Sequence, residues 1–155
     1  MDLLRDAGII TETSMILGFP EDTEDSIART LELAMKLNPD FGHFLAIAPW
    51  PYADIYGDLQ EYISEKDYRK YNLIDPVIKP KNMTLKELDK AIIDCYRAFY
   101  MGKYVEMMDE KDEFKKKYLM TSMKLMMSNS FIKKKIGDVV GEMPDEVRQI
   151  IESSD

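Results

Sequence analysis

The sequence predicts an α/β fold: a partial (β/α) barrel with one βαβ unit of parallel strands, followed by a helical C-terminal region. Three observations predict it. Residues 9–17 are an apolar, β-branched run that stops at Gly18 and turns on Pro20. Residues 41–48, FGHFLAIA, are a second apolar run of strand length, bounded by Pro39 and Pro49. Between the two, Ile27, Leu31, Ala34 and Met35 recur at helical spacing. A strand, a helix and a strand so close together make a right-handed crossover between parallel neighbours. Two parallel strands are too few for a stable sheet. Their partners are therefore expected from a missing upstream barrel segment or from another copy of the chain, which would make a homo-oligomer.

In chain order, residues 1–7 read as the last turns of a helix, with Gly8 where a helix end favours a left-handed residue. An opening of this kind fits either a truncated protein or a short N-terminal helix. Alternation along the first strand puts Ile10, Glu12, Ser14 and Ile16 on one face and Thr11, Thr13, Met15 and Leu17 on the other. Both faces are mixed, as in a barrel strand whose polar inner face lines a wet cavity while its outer face meets helices. Asp22 or Thr23 caps the next helix, acidic Glu24 and Asp25 suit its first turn, and Asn38-Pro39 ends it.

After the second strand, PWPYAD (residues 49–54) is a turn-rich loop at the same end of the sheet as Gly18. Ligands of parallel sheets sit in the crevice at the carboxyl ends of the strands. Ser64 with Asp67 caps a short helix through Tyr71, and residues 75–82 form an extended connector held by Pro76 and Pro80. Thr84-Leu-Lys-Glu87 is a capping box with Met83 and Leu88 as its hydrophobic staple. The helix it opens buries Leu88, Ala91, Ile92, Cys95, Ala98 and Phe99. A second helix over about residues 110–128 carries Phe114, Tyr118, Met120, Met123, Met126 and Met127, read as core. A third follows Pro144 with Val147, Ile150 and Ile151 inward. The domain division expected is 1–57 for the barrel portion, 58–82 for the connector and 83–155 for the helical region.

Composition narrows the function classes. The chain has 155 residues, 45% of them hydrophobic, enough for one domain with a real core. Its 29 acidic against 21 basic residues give a net charge of −8, which disfavours phosphate backbones and argues against nucleic acid as a partner. One cysteine, Cys95, and one histidine, His43, exclude an internal disulfide and a cysteine-built metal site in these residues. Cys95 is read as a buried, inert thiol and His43 as a hydrogen-bonded core histidine, the alternative for His43 being a polar group in the barrel cavity. No apolar run is long enough to cross a bilayer and no signal peptide opens the chain, so the expectation is a cytoplasmic protein without a membrane span. Lys115 to Lys117 and Lys133 to Lys135 are read as solvated faces.

The run Ser14-Met-Ile-Leu-Gly-Phe-Pro-Glu21, then Thr23 and Thr30, then Pro49-Trp-Pro51 with Ile55-Tyr56, resembles the fifth and sixth strands of the radical S-adenosylmethionine enzyme barrel. Within that superfamily, Tyr71-Asn-Leu-Ile-Asp-Pro76 with Met83-Thr-Leu-Lys-Glu-Leu88 is similar to the tail of cobalamin-dependent-type enzymes of the anaerobic magnesium-protoporphyrin IX monomethyl ester cyclase group. The likeness covers roughly residues 1–105 and is most specific over 14–56.

The family pattern Gly-x-Ile-x-Gly-x-x-Glu falls on Ser14, Ile16, Gly18 and Glu21, with Ser14 in place of the first glycine. The resemblance implies that Ile16 packs on adenine and Gly18 lets backbone approach the nucleoside. It also implies that Ile47 and Pro49 join Ser14 and Glu21 in binding the cofactor. The family's Pro-Gly-Thr reads Pro51-Tyr52-Ala53 here, so that loop departs from the pattern.

The cofactors implied for the parent enzyme are S-adenosylmethionine and an iron–sulfur (4Fe-4S) cluster, with cobalamin as a further candidate. The three cysteines that hold such a cluster are absent from these residues. The expectation is a C-terminal part of such an enzyme, inactive alone, that contributes part of the S-adenosylmethionine pocket. The alternative is a small, acidic, helical interaction scaffold. From residue chemistry without the resemblance, Gly18 and Pro20 shape a turn, Glu21 favours the helix N-terminus and Trp50 fills core.

Overall fold

The structure, a computed structural model, describes residues 1–128. It is mixed α/β, as the sequence predicts: two parallel strands, helices around them, and a helical C-terminal region. The expected helix after Pro144, with Val147, Ile150 and Ile151, and the lysines 133–135 lie outside the described residues. Residues Met1–Met101 form one compact unit and Gly102–Asp155 a second.

In the first unit, α1 (Asp2–Asp6) stops at a left-handed Gly8, φ +71°. The Gly8 amide bonds to the Arg5 carbonyl and the Ile9 amide to the Leu4 carbonyl, both at 2.9 Å, so glycine closes the helix as its position predicts. Strand β1 runs over Glu12–Leu17, three residues shorter than the apolar run. Ile9 is taken by the helix cap. Thr11 is clamped instead by Asp40, whose carboxylate accepts from the Thr11 amide at 2.8 Å and hydroxyl at 3.0 Å.

Helix α2 (Glu24–Leu37) returns the chain to β2 (Phe41–Ala46), which pairs parallel to β1 with Ser14 opposite His43 and Ile16 opposite Leu45. Thr23, not Asp22, is the N-cap of α2. Its hydroxyl accepts from the Ser26 amide, and the Ser26 hydroxyl accepts from the Thr23 amide. Asn38 ends the helix at φ +49°, ahead of Pro39. Ile27, Leu31 and Ala34 face the core, but Met35 is 45% exposed, because one residue past Ala34 turns about 100° off the buried stripe.

Helix α4 (Leu85–Met108) opens on the capping box. The Thr84 amide bonds to the Glu87 carboxylate at 2.7 Å and the Glu87 amide to the Thr84 hydroxyl at 3.2 Å. Met83, Leu88, Ile92, Cys95 and Phe99 pack with α2 onto the same sheet face, against Leu17, Phe44 and Ala46. Gly42 is where the helix comes nearest: a Cβ there would sit 3.0 Å from the Phe99 ring.

A second apolar cluster gathers Ile47, Ala48, Leu59, Tyr71, Val77 and Ile78. It includes a short helix the sequence did not suggest, α3 (Tyr56–Leu59). Of the helix expected up to Tyr71 only a single 3-10 turn forms, Tyr68–Lys70, capped by Asp67. In the connector Ile78 bridges antiparallel to Ile63, the Lys79 amide bonds the Tyr62 carbonyl, and residues 81–82 turn.

In the second unit α5 spans Glu113–Ser128. Among its residues 113–125 the buried positions are Lys115, Leu119 and Met123, while Phe114 and Tyr118 are 76% and 47% exposed, against expectation; the side chains of Met126 and Met127 lie outside the described residues. The buried line runs at i, i+4 and i+8, and Phe114 and Tyr118 each stand one residue off it. Lys115, read as solvated, is buried with its ammonium 3.8 Å from the Glu110 carboxylate.

Candidate functional site

α2 and α4 both pack on one face of the β1–β2 pair, and among the described residues the other face stays open. Glu12, Ser14 and Ile16 from β1 and His43 and Leu45 from β2 share it, and none of them is buried. The face carries an acid, a hydroxyl, an imidazole and two aliphatic side chains. The His43 Nε2 lies 3.6 Å from the Glu12 carboxylate, diagonally across the strands. His43 is therefore no core histidine. Its parity puts it opposite Ser14 on the bare side, and its side chain keeps 33% of its surface exposed.

At the carboxyl ends of the strands the two loops meet as predicted. The Ile47 amide bonds to the Leu17 carbonyl at 2.8 Å, carrying the ladder one step past β2. The loop after β1 is folded by Asp22, whose carboxylate accepts from the Gly18 amide at 2.8 Å, the Phe19 amide at 3.0 Å and the Ser26 hydroxyl at 2.8 Å. Phe19, Pro20 and Glu21 then face Ile55, Leu59 and Tyr62 across an open cleft of about 750 Å³. Lys81 spans its rim. It bonds the Glu21 carboxylate at 2.6 Å, lies 5.4 Å from the Tyr62 ring centroid, and its amide bonds the Pro20 carbonyl. The Lys81 ammonium holds the Glu21 carboxyl below its ordinary value, and Glu21 in turn raises Lys81.

The six residues predicted to bind cofactor are thus divided. Ser14 and Ile16 stand on the open face, with Ile16 40% exposed. Glu21 is on the cleft rim. Gly18 has a packing reason of its own: its φ is +90° and a Cβ would lie 2.7 Å from Leu88 Cδ2. Ile47 and Pro49 are buried, Ile47 inside the second apolar cluster. Trp50 fills that cluster too, its indole N–H bonding the Tyr71 carbonyl at 3.2 Å and its ring stacked 6.2 Å from that of Tyr52. Asp22 and Lys81 are the contributors that sequence reasoning missed. Asp22 was legible as an acid four residues after a turn glycine, but nothing local announces Lys81, which comes from 60 residues away.

A cofactor test divides in the same way. An iron–sulfur cluster does not fit. Cys95 is 3% exposed on the helix-covered side, burial pushes its thiol up to about 11, and no cluster of three metal-ligating side chains exists among the described residues. Ile16, opposite Leu45 and two residues along the strand from Ser14, presents exposed aliphatic surface of the kind a flat apolar group would pack against.

Fold and site together define a helix-backed βα fragment with one wet sheet face. The chain is similar to proteins called anaerobic magnesium-protoporphyrin IX monomethyl ester cyclase, 33% identical over 86% of the chain in Rubrivivax gelatinosus and 36% identical over 65% of it in Cereibacter sphaeroides. It is also 25% identical over 56% of its length to a bacteriochlorophyllide d C-12(1)-methyltransferase of Chlorobaculum tepidum. These relatives are the group that the motifs on β1 and in the connector resemble. The chain spans about a quarter or less of their length: 24%, 16% and 19% in that order. No family model matches it, and no solved structure does. No helix among the described residues is long and apolar enough to cross a membrane.

Proposed function

We propose that the chain is part of a longer radical S-adenosylmethionine enzyme of the cyclase and methyltransferase group, inactive as residues 1–155. In that enzyme it contributes two staves of the barrel and part of the cofactor pocket. The observation that carries this reading is the one-sided cover of the parallel pair. Parallel strands are ordinarily buried on both faces, so a polar, partly apolar face left bare opposite α2 and α4 is what the inner wall of a larger barrel requires. On that wall Ile16 packs against the adenine ring, Ser14 offers a hydroxyl beside it, and the cleft at Glu21 lies at the end of the strands where ligands are expected. S-adenosylmethionine supplies the radical in such enzymes once a cluster reduces it. The cluster's ligands belong to residues outside this chain.

The test is calorimetric titration of S-adenosylmethionine into residues 1–155 and into the longer protein. No measurable heat is expected from the first and saturable binding from the second. Tight binding by residues 1–155 alone would overturn the fragment reading, as would a full reading frame without a Cys-x-x-x-Cys-x-x-Cys segment.

The second reading, a scaffold that binds a protein partner, draws on α5. Phe114, Tyr118 and Leu125 form an exposed stripe there, with the first two rings 6.5 Å apart.

A further inference from the structure

Helix α5 carries two lines of side chains with apolar surface, and packing within its unit uses one of them. Lys115, Leu119 and Met123 make the buried line. Phe114, Tyr118 and Leu125 make the other, 76%, 47% and 66% exposed. With exposed Thr121 among them they fall at i, i+4, i+7 and i+11, which keeps all four on one side of the helix. At about 1.5 Å of rise per residue the exposed line is about 16 Å long. It opens on two rings, Phe114 and Tyr118, whose centroids lie 6.5 Å apart with 28° between their planes.

The charge of this helix runs against that of the chain. Glu113–Ser128 holds four lysines and one acid, Glu113, in a chain of net charge −8. Two of the lysines serve the fold of the unit. The Lys115 ammonium lies 3.8 Å from the Glu110 carboxylate, and the Lys116 ammonium bonds the Met108 carbonyl at 2.7 Å, at the end of α4. The other two, Lys117 and Lys124, are exposed and meet no acid among the described residues. Lys70, Lys81 and Lys90, by contrast, each pair with a carboxylate. Lys117 and Lys124 stand two turns apart on one flank of the exposed line, each directly before one of its members, Tyr118 and Leu125. They outnumber Glu113, which shares that flank.

Lysine is depleted from the buried centre of protein interfaces. Beside an aromatic line it is what an anionic lipid surface takes up: rings enter between headgroups, the aliphatic stems lie along them, and the ammonium groups stay at the phosphates. We propose that the exposed line of α5 docks on an anionic lipid surface, with Phe114, Tyr118 and Leu125 in the headgroup layer and Lys117 and Lys124 on lipid phosphates. The chain lies on such a surface and does not span it, since no helix among the described residues is long and apolar enough to cross a membrane. The net charge of −8 does not forbid this, because salt confines the field of distant acids to about 8 to 10 Å. The proposal goes beyond the enzyme reading and does not rest on it.

Co-sedimentation of residues 1–155 with lipid vesicles tests it. Phosphatidylcholine vesicles containing about a third phosphatidylglycerol should bind the chain about tenfold better than phosphatidylcholine alone, and the difference should shrink as salt rises. Lys117→Gln and Lys124→Gln should each weaken binding to the anionic vesicles about fivefold, and Phe114→Ser about tenfold, with an unchanged circular dichroism spectrum because all three side chains are exposed. Leu3→Ser, at a side chain 85% exposed in the first unit, should leave binding unchanged. Equal binding to both vesicles, no binding to either, or binding that survives Phe114→Ser and Lys117→Gln would overturn the proposal. So would a lipid-free dimer that Phe114→Ser dissociates, which would assign the line to a second copy. Vesicle binding by residues 1–155 that is lost in the longer protein would also overturn it, and would assign the line to the rest of that protein.

Discussion

Replacing Gly18 by alanine separates packing from ligand approach at the turn that joins strand to cleft. Two costs arise together. A left-handed φ of +90° is unfavourable for any residue with a Cβ by about 1 to 2 kcal/mol. The new methyl also lands 2.7 Å from Leu88 Cδ2, nearly 1 Å inside normal carbon contact, and overpacking a core costs about 1 to 3 kcal/mol. Since Cδ2 is the end of a flexible side chain, part of the overlap relaxes, and Gly18→Ala should lose ~2–3 kcal/mol in urea unfolding followed by circular dichroism. Leu88→Ala alone should cost about 2 to 5 kcal/mol by leaving a cavity. The double variant should be less destabilised than the sum of the singles, because the overlap is gone and only the φ strain persists. A Gly18→Ala chain within about 0.5 kcal/mol of the parent would refute the packing account, since that is the range of substitutions that touch nothing. It would leave ligand approach as the reason for the glycine.

Asp22→Ala removes a charged acceptor from two loop amides and a hydroxyl and should cost about 2 kcal/mol in the same assay, against about 1 kcal/mol for loss of the Thr23 cap. Tyr100→Phe strands the Gly42 backbone and should cost about 1 to 3 kcal/mol, read as a lower urea midpoint. Burial raises the Cys95 thiol from 9.0 to about 11, so the folded state holds its proton more tightly than the unfolded chain. The stability this contributes is complete below pH 9 and declines as pH rises from 9 to 11. Unfolding midpoints across that window should fall, and Cys95→Ala should remove that share of the slope. In the longer protein Ile16→Asp should weaken S-adenosylmethionine at least tenfold in calorimetry by burying a carboxylate against an apolar ring, and unchanged affinity would remove Ile16 from the pocket.

Much of the fold was legible because its signals are local. The glycine that closes α1, the capping box at Thr84 and the proline after Asn38 act through bonds within a few residues, and each forms as its spacing predicts. The apolar runs announced β1 and β2, and their closeness in the chain made the pair parallel. The open face was legible as well, since strict alternation had already placed Glu12, Ser14 and Ile16 together. Where two apolar faces compete, local pattern fails. Met35, Phe114 and Tyr118 are hydrophobic at helical spacing and still face outward, because only the neighbouring elements select which stripe of a helix is buried.

What the sequence alone determined about this protein is its two strands, the helix between them, the helix that opens at Thr84, their order and the group of enzymes it resembles, all carried by residues adjacent in the chain. Tertiary structure alone decided the rest: that Leu88 rather than a ligand fills the space at Gly18, that Ile47 and Pro49 are enclosed, that Lys81 reaches Glu21, and that the Tyr100 hydroxyl bonds the Gly42 backbone. Each of those depends on a distance between residues far apart in the chain, a quantity set by how helices pack onto strands and invisible to any local pattern.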